Sequence, residues 1–160
     1  MFFGIFTALV ALIADQVSKF VVDTKLVIDE PVEICDYFNL IKVWNTGISF
    51  SMFNDYGNIG KIALITFALA VVVFLLHWMN KEENRWKVFG LGLIIGGALG
   101  NVVDRIRAGA VLDFLDFHYK SMHWPAFNLA DTFICIGAFL LIWLEISAKQ
   151  NYNSYKRYKK

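Results

Sequence analysis

Four long apolar stretches constrain this chain more than any other feature of its sequence. They cover about residues 2–22, 62–79, 88–103 and 127–146, and each is close to the ~20 residues needed to cross a ~30 Å hydrocarbon core. Hydrophobic residues make up 58% of the 160 residues and charged residues only 18%, which is too apolar for a soluble domain of this length. The sequence therefore predicts an all-α integral membrane protein with four transmembrane helices.

The charges between these stretches predict the orientation of the chain. The segment 23–60, between the first and second stretches, carries two lysines against six acidic residues. The loop between the second and third stretches and the tail 149–160 are rich in basic residues: Lys81, Arg85, Lys87, Lys149, Lys156, Arg157, Lys159 and Lys160. By the positive-inside rule both termini are cytoplasmic, and the segments 23–60 and 105–125 lie outside.

The first outer segment has the pattern of a small sheet. Short apolar runs at 26–28, 32–34, 38–43 and 48–53 are separated by Asp, Glu, Pro, Asn and Gly residues, a spacing typical of short strands. We expect a small β-containing extracytoplasmic loop region within a single membrane-embedded domain, 1–160. The basic tail from Lys149 is expected to be a loosely ordered anchor to anionic phospholipid.

Composition excludes several classes of function. A net charge of +1 leaves no basic excess to neutralise phosphates, so no nucleic-acid partner is expected. Two cysteines, Cys35 and Cys135, are too few for a disulfide framework or a four-cysteine zinc site. His118, His123 and Asp116 are too loosely spaced to predict a metal site, and we expect no metal.

Polar side chains inside the first span need an explanation, because ionisable groups in a membrane are costly. Asp15 and Lys19 are four residues apart on one helical face. One interpretation is a salt bridge in which Lys19 extends to the interface. The other is that the pair orients polar groups on neighbouring helices.

The third span carries glycines at every fourth position, Gly92, Gly96 and Gly100. Such a ridge lets helix backbones approach closely. We expect it to serve packing within the bundle rather than homodimerisation. Asp104 and Arg105, just beyond the ridge, are expected to pair with each other at the membrane boundary.

Two further acids lie at the same outer level. Asp113 is flanked by apolar residues, which is unusual for an acid in a solvated loop, and Asp131 follows Asn128 at the start of the fourth span. Asn128 and Asp131 alone could be a helix N-cap with an acid in the first turn. That interpretation leaves Asp113 unexplained, whereas two carboxyl groups brought together could share a proton, as in aspartic proteases.

Five motifs occur in an order that resembles a known family. They are Asp15-Gln16-Val17-Ser18-Lys19, Asn45-Thr46-Gly47, Gly100-Asn101-x-x-Asp104-Arg105, Val111-Leu112-Asp113-Phe114 and Phe127-Asn128-Leu129-Ala130-Asp131. Together with four spans and inside termini, they are similar to the bacterial lipoprotein signal peptidases, also called type II signal peptidases. One departure is Ile48-Ser49, where that family usually has two alanines. This difference affects the expected wall of the substrate groove and not the expected chemistry.

The resemblance implies an intramembrane aspartic endopeptidase of the bacterial cytoplasmic (inner) membrane. Members of the family remove the signal peptide of prolipoproteins, cutting just before a cysteine that carries a diacylglyceryl group. Carried over by motif, Asp113 and Asp131 are catalytic. The same motifs imply substrate binding by Asn45, Gly47, Asn101, Arg105 and Asn128, and structural support from Asp15, Lys19 and Asp104. No cofactor is implied, and we expect a monomer with its active site at the outer leaflet.

Two other classes of function remain open from the residues alone. A small membrane transporter or proton channel could also use paired acids within a membrane, although internal repeats and acids near the middle of the bilayer would be more typical. A non-enzymatic assembly subunit would explain the glycine ridge and the acidic loop. It would not explain the polar motifs around Asp113 and Asp131.

Overall fold

The computed structural model describes residues 1–28, 30–47 and 57–158. It contains four long helices, each long and apolar enough to span a membrane. They are α1 (Phe2–Lys25), α2 (Gly57–Lys81), α3 (Arg85–Arg107) and α4 (Leu129–Tyr158). The four predicted spans are thus confirmed, and each observed helix extends beyond its predicted span at one end or both.

Large apolar side chains lie on the outside of the bundle. Phe20, Phe67 and Phe139 are each about two-thirds exposed, although they sit in the middle of a helix or close to its end. A soluble protein would bury most of such a surface, because extended apolar patches on water-exposed faces cause association. The exposed apolar faces therefore fit a bundle surrounded by lipid.

A small antiparallel sheet connects the helices at one end of the bundle. Its strands are β1 (Val32–Cys35), β2 (Phe38–Asn45), β3 (Val111–Tyr119) and β4 (Met122–His123), in the order β1-β2-β3-β4. β1 and β2 confirm two of the predicted strands. β3 and β4 come from the segment between α3 and α4, where the sequence predicted an outer loop, 105–125, and no particular strand.

Other parts of the sequence-based prediction differ from the structure. Residues 26–28 form no strand, since α1 continues to Lys25 and an irregular turn follows. The predicted strand at 48–53, including Ile48-Ser49, lies outside the described residues. The tail is helical to Tyr158 rather than loosely ordered, which is reasonable because no glycine or proline follows Gly137 to end the helix.

Helix α3 lies at the centre and packs against the other three helices. Its glycines make this possible: a Cβ atom added at Gly92 would lie 2.6 Å from the carbonyl oxygen of Gly4 on α1. Gly96 faces the backbone of Ala8 on the same helix, and Gly97 faces α4 in the same way. The structure places the glycine ridge inside the bundle, where small residues allow close backbone approach.

Gly96→Ala should lower the free energy of unfolding by about 1–3 kcal/mol, the usual cost of overpacking a tight contact. The added methyl group would press on the Ala8 carbonyl, which is backbone and cannot move aside. Gly90→Ala is the comparison, since its added Cβ would lie 3.1 Å from the Gly137 carbonyl oxygen and should cost less. Unfolding of the purified variants in detergent measures both; equal stabilities of the wild type and Gly96→Ala would contradict this packing.

An apolar cluster holds the sheet against the C-terminal end of α1. Val22, Leu112 and Phe114 are buried together, with Leu26 and Leu129 packed around them. Because side chains alternate along a strand, Leu112 and Phe114 face this cluster while Asp113 points to the other face of β3. The packing of Leu112 and Phe114 against Val22 thus fixes the direction of the Asp113 side chain.

Candidate active site

Asp113 is held in a buried position by two side-chain amides. Its carboxyl group is 3% exposed; Oδ1 accepts a hydrogen bond from Asn128 Nδ2 (2.7 Å) and Oδ2 accepts one from Asn45 Nδ2 (3.0 Å). Burial raises the pKa of Asp113 from its usual 3.8 to about 6, the charge of Asp131 adds to this rise, and the two amide bonds oppose it. The site therefore favours the protonated form of Asp113 more than water does.

The raised pKa predicts how stability depends on pH. Between about pH 4 and 6 the folded protein keeps a proton on Asp113 that the unfolded chain has released. The free energy of unfolding should therefore fall as pH rises through this window, by about 2–3 kcal/mol for this group. Asp113→Asn cannot titrate, so the variant should gain stability relative to the wild type as pH rises. Chemical unfolding of both proteins from pH 4 to 7 tests this, and parallel stability curves would contradict it.

Asp131 lies in the first turn of α4, where it both caps the helix and faces the site. The backbone N–H of Asp131 donates to Asn128 Oδ1 (3.0 Å), and the N–H of Asn128 donates to Asp131 Oδ2 (3.4 Å). This reciprocal pair resembles a capping box. The other oxygen, Asp131 Oδ1, accepts from Asn101 Nδ2 (2.8 Å). Asp131 therefore caps the helix and lines the cavity at the same time.

Asn128 links the two aspartates. It is fully buried, and its Nδ2 donates to Asp113 Oδ1 and, at 3.3 Å, to Asn101 Oδ1. Asn101 in turn donates to Asp131. A short chain of amides thus joins Asp113 to Asp131 and limits the movement of both carboxyl groups.

Both aspartates line one cavity of about 860 Å³. It is lined by the C-terminal part of α3, the N-terminal part of α4, the end of β2 and the start of β3. The other lining residues are mostly apolar and aromatic and include Val43, Trp44, Trp124, Phe127 and Ile136. A cavity of this size with a few converging polar groups is typical of a ligand site.

Arg105 supports the loop that carries Asn45. Its Nη2 donates to the carbonyl oxygen of Gly47 (3.1 Å) and its Nη1 to that of Asn101 (3.4 Å). The N–H of Gly47 donates to Asn45 Oδ1 (3.0 Å), which orients the Asn45 amide toward Asp113. Arg105 Nε, which is buried, has no hydrogen-bond partner within the described residues. The guanidinium group lines the cavity with this donor unused.

The predicted pairing of Asp104 with Arg105 is wrong. Asp104 Oδ2 instead lies 2.8 Å from Lys19 Nζ, because Asp104 faces α1 while Arg105 faces the cavity one step around the helix. Lys19 is 4% exposed and also contacts Asp15 Oδ2 (2.9 Å) and Asn101 Oδ1 (3.0 Å). The predicted salt bridge between Asp15 and Lys19 is thus confirmed, but Lys19 does not extend to the interface. It contacts polar groups of α3, as the second interpretation expected.

The histidines of the sheet belong to a separate group. His123 Nδ1 lies 2.9 Å from Asp116 Oδ1, Asn39 Nδ2 donates to Asp116 Oδ2, and the rings of His118 and His123 stack. None of these residues lines the cavity. Across residues 1–28, 30–47 and 57–158, no group of three or more His, Cys, Asp or Glu side chains is arranged to hold a metal ion.

With this geometry established, comparison with known proteins is informative. The family model described as signal peptidase (SPase) II matches residues 7–147. The chain belongs to the signal peptidase II family. Its relatives include the lipoprotein signal peptidase of Aeromonas hydrophila, 46% identical over 138 residues and covering 84% of this chain and 83% of the relative. The lipoprotein signal peptidase of Teredinibacter turnerae is 44% identical over 138 residues, covering 85% and 82%.

The fold agrees with membership of the signal peptidase II family. A solved structure, described as a bacterial membrane enzyme determined by the in meso method at 2.3 Å resolution, is similar to this chain with a TM-score of 0.83. The two are 26% identical, and the match covers 92% of this chain and 90% of the other. The four-helix architecture and the small sheet are therefore shared beyond close relatives.

The structure brings together residues that the motifs place far apart in sequence. Asn45, Gly47, Asn101, Arg105, Asp113 and Asp131 all line the cavity. Asn128 is buried beside it, and Asp15, Lys19 and Asp104 lie behind it on α1 and α3. Sequence reasoning gave no role to Gln16, whose Nε2 donates to both Asp15 Oδ2 and Asp104 Oδ1. The available signal was that an amide inside a transmembrane span needs hydrogen-bond partners.

Proposed function

We propose that this chain is an intramembrane aspartic endopeptidase that removes signal peptides from prolipoproteins, cutting just before a cysteine that carries a diacylglyceryl group. Membership of the signal peptidase II family and relatives named lipoprotein signal peptidase support the protease activity and the substrate class. The observation that carries the aspartic mechanism is the shared cavity of Asp113 and Asp131, joined by Asn128 and Asn101. No comparison supports the alternative of a transporter or proton channel.

The two carboxyl groups would have different roles in proton transfer, one as the general acid and one as the general base. We assign the protonated role to Asp113, since burial and the neighbouring charge raise its pKa to about 6. Asp131 is then the base that takes a proton from water as the water attacks the scissile carbonyl carbon. Asp113 donates to the carbonyl oxygen, and a proton is returned to the leaving amine when the C–N bond breaks. The two groups titrate as a pair.

The asparagines position the carboxyl groups, and Arg105 is available to the substrate. Asn128 has no exposed surface, so we assign it to positioning Asp113 and the start of α4 instead of substrate contact. Asn45 and Asn101 hold one carboxyl group each and also face the cavity. Arg105 lines the cavity, so its guanidinium group can contact the bound peptide, although its buried Nε cannot.

The location of the site suits a substrate anchored in the membrane. Asp113 and Asp131 lie at the end of the bundle where α1 and α3 end and α4 begins. The positive-inside rule places that end at the outer surface of the bacterial inner membrane and both termini in the cytoplasm. The signal helix would then lie beside α4 with its lipid in the outer leaflet. One copy of the chain supplies every residue of this proposed site, so we infer that a monomer suffices.

The lipid requirement gives the test of this function. Purified protein in detergent or lipid bicelles should cut a precursor whose cysteine carries diacylglyceryl, and mass spectrometry should place the cut before that cysteine. The unmodified precursor should be cut at least about 100-fold more slowly, because the lipid supplies binding energy that holds the peptide at the aspartates. Equal rates for the two substrates would contradict this account of substrate selection.

A further inference from the structure

Four side chains behind the cavity form a cluster that the proposed chemistry does not use; three of them are buried and the fourth, Gln16, is partly exposed. They are Asp15, Gln16, Lys19 and Asp104, and none of them lines the cavity of the aspartate pair. The ammonium group of Lys19 has three N–H donors and three oxygen partners, on Asp15, Asp104 and Asn101, at 2.9, 2.8 and 3.0 Å. With every donor used and almost no exposure, this ammonium has a fixed position.

The carboxyl groups of this cluster reach the backbone next to each proposed catalytic residue. Asp15 Oδ1 accepts from the N–H of Ala130 (2.9 Å), the residue before Asp131. Asp104 Oδ2 accepts from the N–H of Leu112 (3.4 Å), the residue before Asp113. The same relation therefore occurs twice, once on α4 and once on β3.

The two contacts are tied to each other within the cluster. Lys19 binds both Asp15 and Asp104, and Gln16 Nε2 donates to the same two side chains at 3.1 and 3.0 Å. Gly100 leaves the space for this arrangement, because a Cβ there would press on the Asp15 carboxyl group. Lys19 makes a third connection by orienting the Asn101 amide, which donates to Asp131.

We propose that the Asp15–Lys19–Asp104 cluster sets the separation between the carboxyl groups of Asp113 and Asp131, and that its members are positioning residues for catalysis. This inference rests on the proposed function. Its physical basis is that proton transfer depends on geometry: a displacement of about 1 Å can cost about 100-fold in rate. A cluster of buried ions with satisfied hydrogen bonds is stiff enough to hold such a distance, whereas lipid-facing helix contacts are not.

The separation also determines how the pair titrates. The charged groups that face Asp113 are Lys19 from α1, Arg105 from α3 and Asp131 from α4, while β2 contributes the neutral amide of Asn45. If the two carboxyl groups move apart, the negative charge of Asp131 acts less on Asp113. Asp113 then loses its proton at lower pH, and the basic limb of the pH–rate profile shifts toward acid.

A charge-balanced double variant, Lys19→Met with Asp104→Asn, tests the proposal. It removes one positive and one negative charge, so the net charge of the cluster is unchanged and Asp15 is the remaining ion. Using the lipid-modified precursor, we expect kcat per folded enzyme to fall about 10–100-fold and KM to stay within about threefold. Because the charge of Lys19 itself lowers the pKa of Asp113, the direction of the pH shift is tested in a variant that keeps Lys19. A role in fold stability alone would lower the amount of folded enzyme without lowering kcat per folded molecule.

Two further variants complete the experiment. Gln16→Met changes no charge, keeps Lys19 and breaks the second link between Asp15 and Asp104. It should lower kcat by a smaller factor and shift the basic limb to lower pH, and it decides the question if the double variant does not fold. Lys42→Met is the matched control, because Lys42 also pairs with an aspartate of α1, Asp23, but on the exposed side. Its kcat and profile should match the wild type.

The outcomes separate this inference from the proposed function. Wild-type kcat in the folded double variant, or wild-type kcat and an unshifted profile in Gln16→Met, would overturn the positioning role while leaving the peptidase intact. A higher KM with unchanged kcat would also overturn it, since it would indicate substrate binding. Absence of cleavage by the wild type would overturn the proposed function, and the positioning role with it.

Discussion

Replacing either Asp113 or Asp131 with asparagine should lower kcat by about 10³-fold or more while the protein remains folded. Asparagine nearly keeps the shape of aspartate, but it can neither accept a proton from water nor donate one to a carbonyl oxygen. Loss of general acid–base catalysis from one group alone costs up to about 10⁴-fold. Turnover of the lipid-modified precursor and thermal unfolding in detergent should be measured on the same preparations.

Asp23→Asn is the control for this comparison. Asp23 lies in the last turn of α1, where its half-exposed carboxyl group pairs with Lys42, so activity should stay within about twofold of the wild type. Asp116, although only three residues from Asp113, is buried and bonded to Asn39 and His123, so its replacement would disturb the sheet. Substantial activity in Asp113→Asn or in Asp131→Asn would contradict a mechanism that uses the aspartate pair.

Lys19→Met alone should lower the free energy of unfolding by about 3–5 kcal/mol, the usual cost of removing one partner from a buried ion pair. The methionine would leave Asp15 and Asp104 buried beside each other without the ammonium that binds both. Equilibrium unfolding in mixed detergent micelles measures the loss. Lys42→Met removes a lysine whose aspartate partner, Asp23, is half-exposed, and it should cost less than about 1 kcal/mol.

A second result follows from the same substitution. If the destabilisation comes from two uncompensated carboxylates, adding Asp104→Asn to Lys19→Met should restore part of the lost stability. A Lys19→Met variant as stable as Lys42→Met would contradict the buried position of Lys19. A double variant less stable than the single one would contradict its electrostatic explanation.

The helices were predictable because lipid requires long apolar segments, and the sequence shows four of them without ambiguity. The strand β3 was not, and its burial explains why. Residues Val111–Phe114 are buried on both faces of the strand, so they form a continuous apolar run with one acid in it instead of an alternating pattern. Such a run between two helices is hard to distinguish from a loop that packs on the bundle.

In the site, contacts within one helix could be predicted from the sequence, and contacts between helices could not. Asp15 and Lys19 are four residues apart, so their contact could be inferred from helix geometry. The further partners of Lys19, Asn101 and Asp104, lie more than 80 residues away, and no pattern within α1 indicates them. Lys19 therefore looked like a residue near a helix end that extends to the interface, although it is buried between α1 and α3.

Asp104 and Arg105 illustrate the same limit. Adjacent residues on a helix point about 100° apart, so opposite charges at neighbouring positions need not pair. The partners of these two residues depend on what surrounds α3. Asp104 faces α1 and binds Lys19, whereas Arg105 lines the cavity. The resemblance to signal peptidase II named both residues, but their separate surroundings required coordinates.

The central claim is that Asp113 and Asp131 activate water to cut the bond before a lipid-modified cysteine. Its most direct test is single-turnover cleavage of the modified precursor in ¹⁸O-labelled water with hydroxylamine present, followed by mass spectrometry. The account predicts ¹⁸O in the new carboxyl terminus of the released signal peptide, a second product that begins at the lipidated cysteine, and no hydroxamate. A peptide hydroxamate would instead show an acyl-enzyme on a side-chain nucleophile, such as the cavity-lining thiol of Cys135, and would contradict the claim.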